Sequence, residues 1–507
     1  MKIKNNVLSV ILNKSNIFIL LLFFIFQNNS HKLFGQSSEE CTVGVASGSA
    51  TKDGRPLLWK TRDNSSSPDN EVKYNTSFKY KFIYVADAGT STLSWMGVNE
   101  HGFAIINSAS TDLVSNLTGP GNGTLMRDVL GACKTIDEFQ HYLDSTNITG
   151  RSTQANFGVI DSTGAAAFFE TGGNVYYKFD TDSTANGFII RTNFSVNGGG
   201  NYGIERYNRS NVLINNFFNG DSLNYKSIIR YQMRDFSDNN SNPVSIPFAG
   251  NWSIGIPYGY IYCEKSICRT SSVSTSVIHG VLPSEKPVLT TMWTILGQPA
   301  STVALPYWPV GYTPAEADGS TTSALCDKAN EIRTTLFDYS SNDNYIDTYK
   351  LRDSVGGGLW HCIFPLEDNI FSETENFLDS LRLLSSLPVN LMLNKESALA
   401  SYALNELNNC FSSLSAVNNI RNDIASIQLY PNPAKDFIFI DIKNSAEIKN
   451  YSVRIINNIG SLVYENKFSQ AEIKINTDHF GKTGMYLIQV YDEKSDLLKA
   501  SKILIIE

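Results

Sequence analysis

The chain has 507 residues, a net charge of -8, and a composition that is 42% hydrophobic and 18% charged. That length predicts two or three domains, and the composition predicts globular domains with well-filled cores. The negative balance, with basic residues scattered along the chain, argues against nucleic acid and anionic lipid as partners.

The first 36 residues have the segment order of a secretory signal peptide. Lysines precede the apolar run IFILLLFFIF at residues 17–26, and a polar stretch ending in LFGQ follows it. The apolar run is too short for a stable membrane span. An uncleaved anchor is the alternative, because Gly35 is the only clear small residue at the cleavage site. We expect the mature protein to be exported and soluble.

The chain contains seven cysteines, which are Cys41, Cys133, Cys263, Cys268, Cys326, Cys362 and Cys410. In an oxidising compartment an odd number leaves at least one thiol without an internal partner. The pair Cys263 and Cys268, in YCEKSICR, is spaced to close a short hairpin as a disulfide. Spacing leaves the other pairings open, and Cys41 is the candidate for a thiol kept for chemistry.

From Cys41 to about Thr111 the sequence predicts strands separated by turns. TVGVASGSAT and PLLWK flank the turn TKDGR, KYKFIYVAD alternates, and LSWMGVNEHGFAIINSAS contains two short strands. Apolar spacing then predicts a helix from Leu125 to Leu143, and ANFGVIDSTGAAAFFE predicts a hairpin. FIIRTNF is strand-like, IERYNRSNVLINNFF is helix-like, and residues 273–305 return to strand. This order predicts a layered α+β domain.

The two segments that follow have different patterns. From about Glu367 to Ile424, leucine-rich stretches on either side of Pro388 have helical periodicity. They favour a helical hairpin packed on the preceding domain, with a linker as the alternative. From near Ile427 to Glu507, short strand-like runs with regularly spaced turns predict a small β-sandwich.

The sequence contains no familiar metal or cofactor motif. The six histidines lie far apart without forming a close ligand pair, and CxxC, a Walker-type loop and GxGxxG are absent. GNWSIG at residues 250–255 departs from a nucleophile elbow, because its first glycine is one residue too far from Ser253. We therefore expect no cofactor and no metal.

Cys41 follows the acidic stretch SSEE and is a candidate nucleophile. If proteolysis frees the bond before it, the residue gains an α-amine with a reference pKa of about 8. That amine can accept the thiol proton near neutral pH and so activate the sulfur. Residues 37–40 are then a short propeptide. The alternative is a buried half-cystine near the start of a strand.

The stretch CTVGVAS...TKDG...LLWKTRDN resembles the start of the N-terminal-nucleophile cysteine hydrolases. That group contains choloylglycine hydrolases, penicillin V acylases, acyl-CoA:6-aminopenicillanate acyltransferases and a dipeptidase branch. The family pattern is Cys-Thr at the mature start, an Asp-Gly turn, and a strand that ends in a basic residue with an aspartate three positions later. The matches are Cys41, the turn at Asp53, and Asp63. The basic residue, usually arginine, is Lys60 here, and Arg62 is a second candidate for its role.

Later motifs extend the resemblance over roughly residues 41–305. GVNEHGFAIINSAS resembles a family turn and strand in which an asparagine serves the oxyanion site, and Asn107 is the nearest match. RTNF supplies a second asparagine, Asn193, and ANFGVIDSTGAAAFFE resembles the central hairpin of the family. Arg206 or Arg209 corresponds to a later family arginine.

The resemblance implies a role for each residue. Cys41 attacks an amide carbonyl, Asp63 orients its α-ammonium, and Lys60 or Arg62 stabilises the thiolate. The two asparagines donate hydrogen bonds to the oxyanion, each worth about 3 kcal/mol. A surface ion pair is the alternative interpretation of Lys60 and Asp63.

The C-terminal segment has its own resemblance. YPNPAKDFIFIDI, NNIGSLVY and GMYLIQVYDEKSDLLKASKILI resemble the sorting domain of type IX secretion cargo in Bacteroidetes. This resemblance implies contact with the type IX machinery and passage through the outer membrane. Release or attachment at the cell surface then follows.

The predicted fold class is α+β, a four-layer αββα N-terminal-nucleophile hydrolase sandwich followed by a helical segment and a small C-terminal β-sandwich. The predicted parts are a signal peptide at 1–36, a propeptide at 37–40, the hydrolase domain at 41–365, the helical segment at 366–424 and the sorting domain at 425–507. The predicted function is a secreted, self-processed amidohydrolase that cleaves a small-molecule linear amide through a Cys41 thioester. An acyltransferase on the same fold and a catalytically inactive surface binding protein are the alternatives.

Overall fold

The computed structural model of this protein describes residues 40–506, except for 117, 239–243, 340–341, 354–356, 426, 443–448, 480–482 and 494–496. The predicted signal peptide and residues 37–39 of the predicted propeptide lie outside the described residues. Within the described part, no helix combines the length and the apolar character that a membrane span needs.

Two antiparallel sheets form the centre of the larger part of the molecule, with strands numbered in chain order. The six strands of the first sheet are β1 Glu40–Ala46, β2 Leu57–Asp63, β10 Phe188–Arg191, β12 Ser272–His279, β13 Thr291–Leu296 and β14 Leu305–Tyr307. Their order across the sheet is β10-β1-β2-β12-β13-β14. The seven strands of the second sheet follow one another from β3 to β9 and are β3 Asn70–Asn75, β4 Phe82–Asp87, β5 Met96–Asn99, β6 Ala104–Ala109, β7 Ala155–Ile160, β8 Ala166–Thr171 and β9 Tyr176–Asp180.

Helices cover the outer faces of both sheets. The described α-helices are α1 Asn122–Leu130, α2 Ile136–Thr149, α3 Ile204–Asn219, α4 Tyr225–Ser227, α5 Ala324–Leu336, α6 Thr348–Leu351, α7 Leu359–Arg382 and α8 Val389–Ala425. Short 3₁₀ turns occur at Thr181–Ser183, Pro287–Leu289 and Thr477–His479, and a π-helical turn occurs at Ile228–Gln232. A separate two-stranded ribbon pairs β11 Tyr260–Tyr262 with β15 Tyr345–Asp347.

Alternation along the strands of the seven-stranded sheet separates two apolar cores. In β4, Phe82 and Tyr84 join the core formed with α1 and α2, whereas Ile83 and Val85 join the core shared with the six-stranded sheet. This division follows from the two-residue period of a strand, which sends successive side chains to opposite faces. On the far side of the six-stranded sheet, the Trp293 ring packs against Tyr225 of α4 and Phe371 of α7. The predicted four-layer αββα arrangement is confirmed.

The helical segment predicted from Leu125 to Leu143 consists of two helices in the structure. Gly131 closes α1, and its backbone N–H donates to the last turn of that helix. The side chain of Thr135 then caps α2 by accepting a hydrogen bond from the Glu138 N–H. The apolar spacing runs through both helices, so the periodicity conceals a break that the capping residues produce.

Helices α7 and α8 lie on either side of Pro388 and pack on the main core through residues such as Phe371 and Leu407. A disulfide between Cys362 and Cys410 joins the two helices. The predicted pairing of Cys263 with Cys268 is wrong, because each thiol has another neighbour. The Cys263 thiol donates to the Asn344 carbonyl, and the Cys268 sulfur accepts a hydrogen bond from the Gln298 side chain.

The C-terminal part is a small sandwich of a three-stranded and a four-stranded sheet. Its strands are β16 Ile427–Tyr430, β17 Phe437–Ile442, β18 Tyr451–Ile456, β19 Leu462–Phe468, β20 Glu472–Asn476, β21 Gly484–Tyr491 and β22 Leu497–Ile505. The two sheets enclose their own apolar core, to which alternate residues of β17 and β21 contribute. The predicted β-sandwich is confirmed.

Replacing Gly44 with alanine is expected to destabilise the protein, because a Cβ there would lie 2.1 Å from the buried Trp59 ring across the strand pair. Overpacking a filled core costs about 1–3 kcal/mol. The measurement is the apparent free energy of unfolding in urea. Gly250→Ala is the matched control, because its Cβ would lie 3.4 Å from Phe248, an ordinary contact. Equal, small effects of the two changes would contradict close packing of Trp59 over β1.

Candidate active site

The pairing of β1 with β2 places the candidate nucleophile. Cys41 lies opposite Arg62, and Glu40 lies opposite Asp63. Residues opposite each other in an antiparallel pair share a face of the sheet. Arg62 pairs with Asp87 of the second sheet, so the thiol and Arg62 lie on the face toward that sheet. Asp63 lies 4.0 Å from Arg206 of α3, so Glu40 and Asp63 lie on the face toward the helices. Cys41, Arg62 and Asp63 are all fully buried.

Two side chains hold the backbone of Cys41 in place. The Cys41 N–H donates to Asn193 Oδ1 at 3.0 Å. Arg206, from α3, donates to the Cys41 carbonyl at 2.7 Å and to Asn193 Oδ1 at 2.8 Å. Asn193 Nδ2 donates to the Ala109 carbonyl at 2.9 Å. Asn193 thus presents an acceptor to the Cys41 nitrogen, which differs from the donor role that the resemblance implies.

Lys60 and Asn107 form a second part of the site. Lys60 Nζ donates to Asn107 Oδ1 at 2.7 Å and to the Trp95 carbonyl at 3.1 Å. Asn107 Nδ2 is buried and has no hydrogen-bond partner among the residues that the structure describes. A buried amide donor without a partner costs about 1–3 kcal/mol, so it points to a function. Lys60 thereby orients Asn107 with its amide donor available.

Arg62 has different neighbours from Lys60. Its guanidinium donates to Asn70 Oδ1 at 2.7 Å, pairs with Asp87 at 2.9 Å and lies 4.6 Å from the centre of the Trp95 ring. Lys60 and Arg62 are both fully buried, as is Asp63, so the alternative of a surface ion pair is wrong. Of the two basic candidates, Lys60 donates a hydrogen bond to Asn107, and Arg62 lies directly opposite Cys41 in the strand pair.

Asp63 is bound by a residue that sequence reasoning missed. Arg269 Nε donates to Asp63 Oδ2 at 3.0 Å, and Ser272 Oγ donates to Asp63 Oδ1 at 2.6 Å. Arg206 lies 4.0 Å from the same carboxylate. Burial raises the pKa of Asp63 against the opposing charges of Arg269 and Arg206. The only signal for Arg269 in the sequence is its place just before a predicted strand.

The two arginines proposed as matches to the later family arginine lie in different surroundings. Arg206 contacts the backbone of Cys41, whereas Arg209, one turn further along α3, pairs with Asp235 at 2.6 Å. Only Arg206 therefore lies in the candidate site. In the described ranges, no group of three His, Cys, Asp or Glu side chains is placed to hold a metal ion.

The two central sheets with their covering helices, and Cys41 on the first strand, form the αββα arrangement that the resemblance to N-terminal-nucleophile cysteine hydrolases implies. Residues 49–220 match the family described as acyl-coenzyme A:6-aminopenicillanic acid acyl-transferase. Residues 428–507 match the family described as secretion system C-terminal sorting domain. Both resemblances predicted from the sequence are confirmed.

The chain is also similar to individual known proteins. A mutant of conjugated bile acid hydrolase from Clostridium perfringens is 13% identical, with a TM-score of 0.32 over 50% of this chain and 89% of that chain. Penicillin V acylase from Agrobacterium tumefaciens is 11% identical, with a TM-score of 0.33 over 53% of this chain and 85% of that chain. Ulvan lyase NLR42 from Nonlabens ulvanivorans is 44% identical over 68 residues. Those residues are 13% of this chain and 12% of the length of that lyase.

The two family matches support an acyl-transferase-like domain joined to a secretion sorting domain. The sorting domain marks the chain for type IX secretion, with release or attachment at the cell surface.

Replacing Arg62 with methionine is expected to destabilise the protein by roughly 3 kcal/mol, because Asp87 loses the partner of its buried Oδ1 atom. Asp87 keeps the hydrogen bond from Trp95, which holds the effect at the lower end of the range for a broken buried pair. Urea unfolding measures the loss. Arg454→Met is the control, since Arg454 pairs with Glu465 on the surface, and we expect no measurable change. Similar midpoints for the two variants would show that the Arg62 pair contributes nothing.

Proposed function

We propose that this protein is a self-processed cysteine amidohydrolase that cleaves small linear amides through a Cys41 thioester. The observation that best supports this proposal is the support given to the Cys41 backbone by Asn193 and Arg206. These contacts hold the nitrogen that becomes the α-amine after processing. An α-amine fixed beside its own thiol is the base that such a nucleophile needs.

The processing step needs only this chain. Cys41 Sγ attacks the carbonyl carbon of Glu40, the sulfur–carbon bond forms, and the carbon–nitrogen bond breaks. The departing nitrogen is the Cys41 amine, which takes up the proton that the thiol releases. Water then attacks the thioester, which frees the propeptide as a carboxylic acid and restores the thiol.

The same groups act on an external amide. The α-amine of Cys41 accepts the thiol proton, the sulfur attacks the substrate carbonyl, and the proton passes to the leaving amine as the carbon–nitrogen bond breaks. Asn107 Nδ2 donates to the oxyanion, and Lys60 holds Asn107 in that orientation. Arg62 places a positive charge on the face of the thiol and favours the thiolate. Water completes the cycle by hydrolysing the thioester.

Asp63 is the proposed partner of the new ammonium group. It lies directly across the strand pair from Glu40 and therefore beside the bond that processing breaks. Arg269 and Ser272 fix both oxygens of its carboxylate. A carboxylate held in this way orients the ammonium and stabilises its charge.

Secreted wild-type protein is expected to begin at Cys41, because the Cys41 thiol and the peptide bond before it are the reacting groups that self-cleavage needs. N-terminal sequencing and intact mass are the measurements. Cys41→Ala is expected to retain residues 37–40, and the control Cys133→Ala, which removes another buried thiol, is expected to be processed like wild type. Wild-type protein that retains residues 37–40 would leave Cys41 without its own amine and would sink the proposal.

An acyltransferase is the second candidate, and the match of residues 49–220 to an acyl-transferase family favours it. In that reaction an amine, rather than water, attacks the Cys41 thioester and takes the acyl group.

Product analysis with and without an added acceptor amine separates the two reactions. We expect the free carboxylic acid to remain the main product when the amine is present, because the proposed reaction ends with water. Cys41→Ala is the control for uncatalysed transfer. A new amide as the main product would replace hydrolysis with acyl transfer as the function of the same site.

A further inference from the structure

The side chain of Glu40, the residue just before Cys41, is bound by three donor groups. Arg269 pairs with Glu40 Oε2, and the Tyr202 hydroxyl donates to Glu40 Oε1. Arg206 Nη2 lies 3.6 Å from Glu40 Oε2. Burial alone would raise the pKa of Glu40, but Arg269, Tyr202 and Arg206 outweigh it and hold that pKa below its usual value. We call Tyr202, Arg206 and Arg269 the anion cradle.

Self-processing removes a negative charge from this cradle. Arg206 and Arg269 are 2% and 3% exposed, so water screens their charges poorly. Burial and the charge of Arg269 both lower the pKa of Arg206, so the two guanidinium groups oppose each other. Asp63 and Glu264 remain near Arg269, at 3.0 Å and 3.6 Å. Loss of Glu40 and gain of an α-ammonium group leave the cradle with an excess of positive charge.

We propose that the anion cradle of the processed protein binds a carboxylate carried by the acyl group of the substrate. This inference rests on the proposed function, because it requires the removal of Glu40. Glu40 is itself the acyl group that Cys41 attacks during processing. The carbonyl carbon of Glu40 and that of a substrate both have to come within bonding reach of the same sulfur. A substrate acyl chain that follows the path of Glu40 brings its own carboxylate into the cradle.

The length of the Glu40 side chain defines the substrate class. Its carboxyl group is separated from its carbonyl carbon by Cα, Cβ and Cγ, which is the spacing of a glutaryl or an α-glutamyl group. Amides of such acyl groups are therefore the preferred substrates. Hydrogen bonds to charged groups are strong enough to favour them over neutral acyl groups of equal length by roughly 10- to 100-fold in kcat/KM.

The test compares glutaryl p-nitroanilide with pentanoyl p-nitroanilide, which has the same chain length and no carboxylate, on secreted protein that begins at Cys41. We expect the glutaryl preference given above. Tyr202→Phe is expected to lower the ratio of the two kcat/KM values about fivefold, because it removes one donor. Tyr207→Phe is the matched control, since that ring packs against Phe194, and it is expected to leave the ratio unchanged.

Calorimetric binding of glutarate to the same protein separates the possible failures. Equal kcat/KM values for the two amides, without glutarate binding, overturn the cradle and leave hydrolysis standing. Glutarate binding without cleavage of either amide supports the cradle and overturns hydrolysis. Cys41→Ala protein, which keeps Glu40, is expected to bind no glutarate, and binding there overturns the cradle. Wild-type protein that keeps Glu40 overturns both proposals.

Discussion

The antiparallel pairing of β1 with β2 is the constraint on which the candidate site depends. Its register sets Cys41 against Arg62 and Glu40 against Asp63, so one strand pair supplies a nucleophile, a cation and a carboxylate. Gly44 in β1 leaves room for the Trp59 ring, which covers the strand pair a few residues further on. The chemistry thus rests on a buried sheet and not on loops, which favours a rigid site.

The residues on the two faces of this strand pair have different roles in the proposed mechanism. The inner face carries the thiol side, where Lys60 and Asn107 connect the first sheet to the second. The outer face carries Asp63 and the residues that bind Glu40. The Cys41 backbone lies between them, held by Asn193 and Arg206. A sheet is well suited to this separation, because successive residues alternate between environments without any change in backbone geometry.

Much of the fold and part of the site could be predicted from the sequence, because they depend on local patterns. Alternation and apolar spacing indicated a layered α+β domain, and the family resemblance implied its four layers. The motifs around Cys41 and Asp63 that carry this resemblance are short and contiguous. The sequence could not place Arg269 beside Asp63, because it lies 206 residues further along the chain, just before the strand β12 that pairs with β2. Lys60 and Arg62 share one face, so only tertiary neighbours distinguish them. The predicted disulfide between Cys263 and Cys268 is wrong, because closeness in sequence does not orient two thiols toward each other.

The disulfide between Cys362 and Cys410 affects how the protein responds to a pulling force on its C-terminal sorting domain. Helix α8 is the last element before the sorting domain, and Cys410 lies within it, well before its end at Ala425. Tension applied to the sorting domain can unwind α8 from its C-terminal end only as far as Cys410. Beyond that residue the load passes through a covalent bond to α7, which is packed on the core. The part of the chain between Cys362 and Cys410 is thereby shielded from forces on the sorting domain.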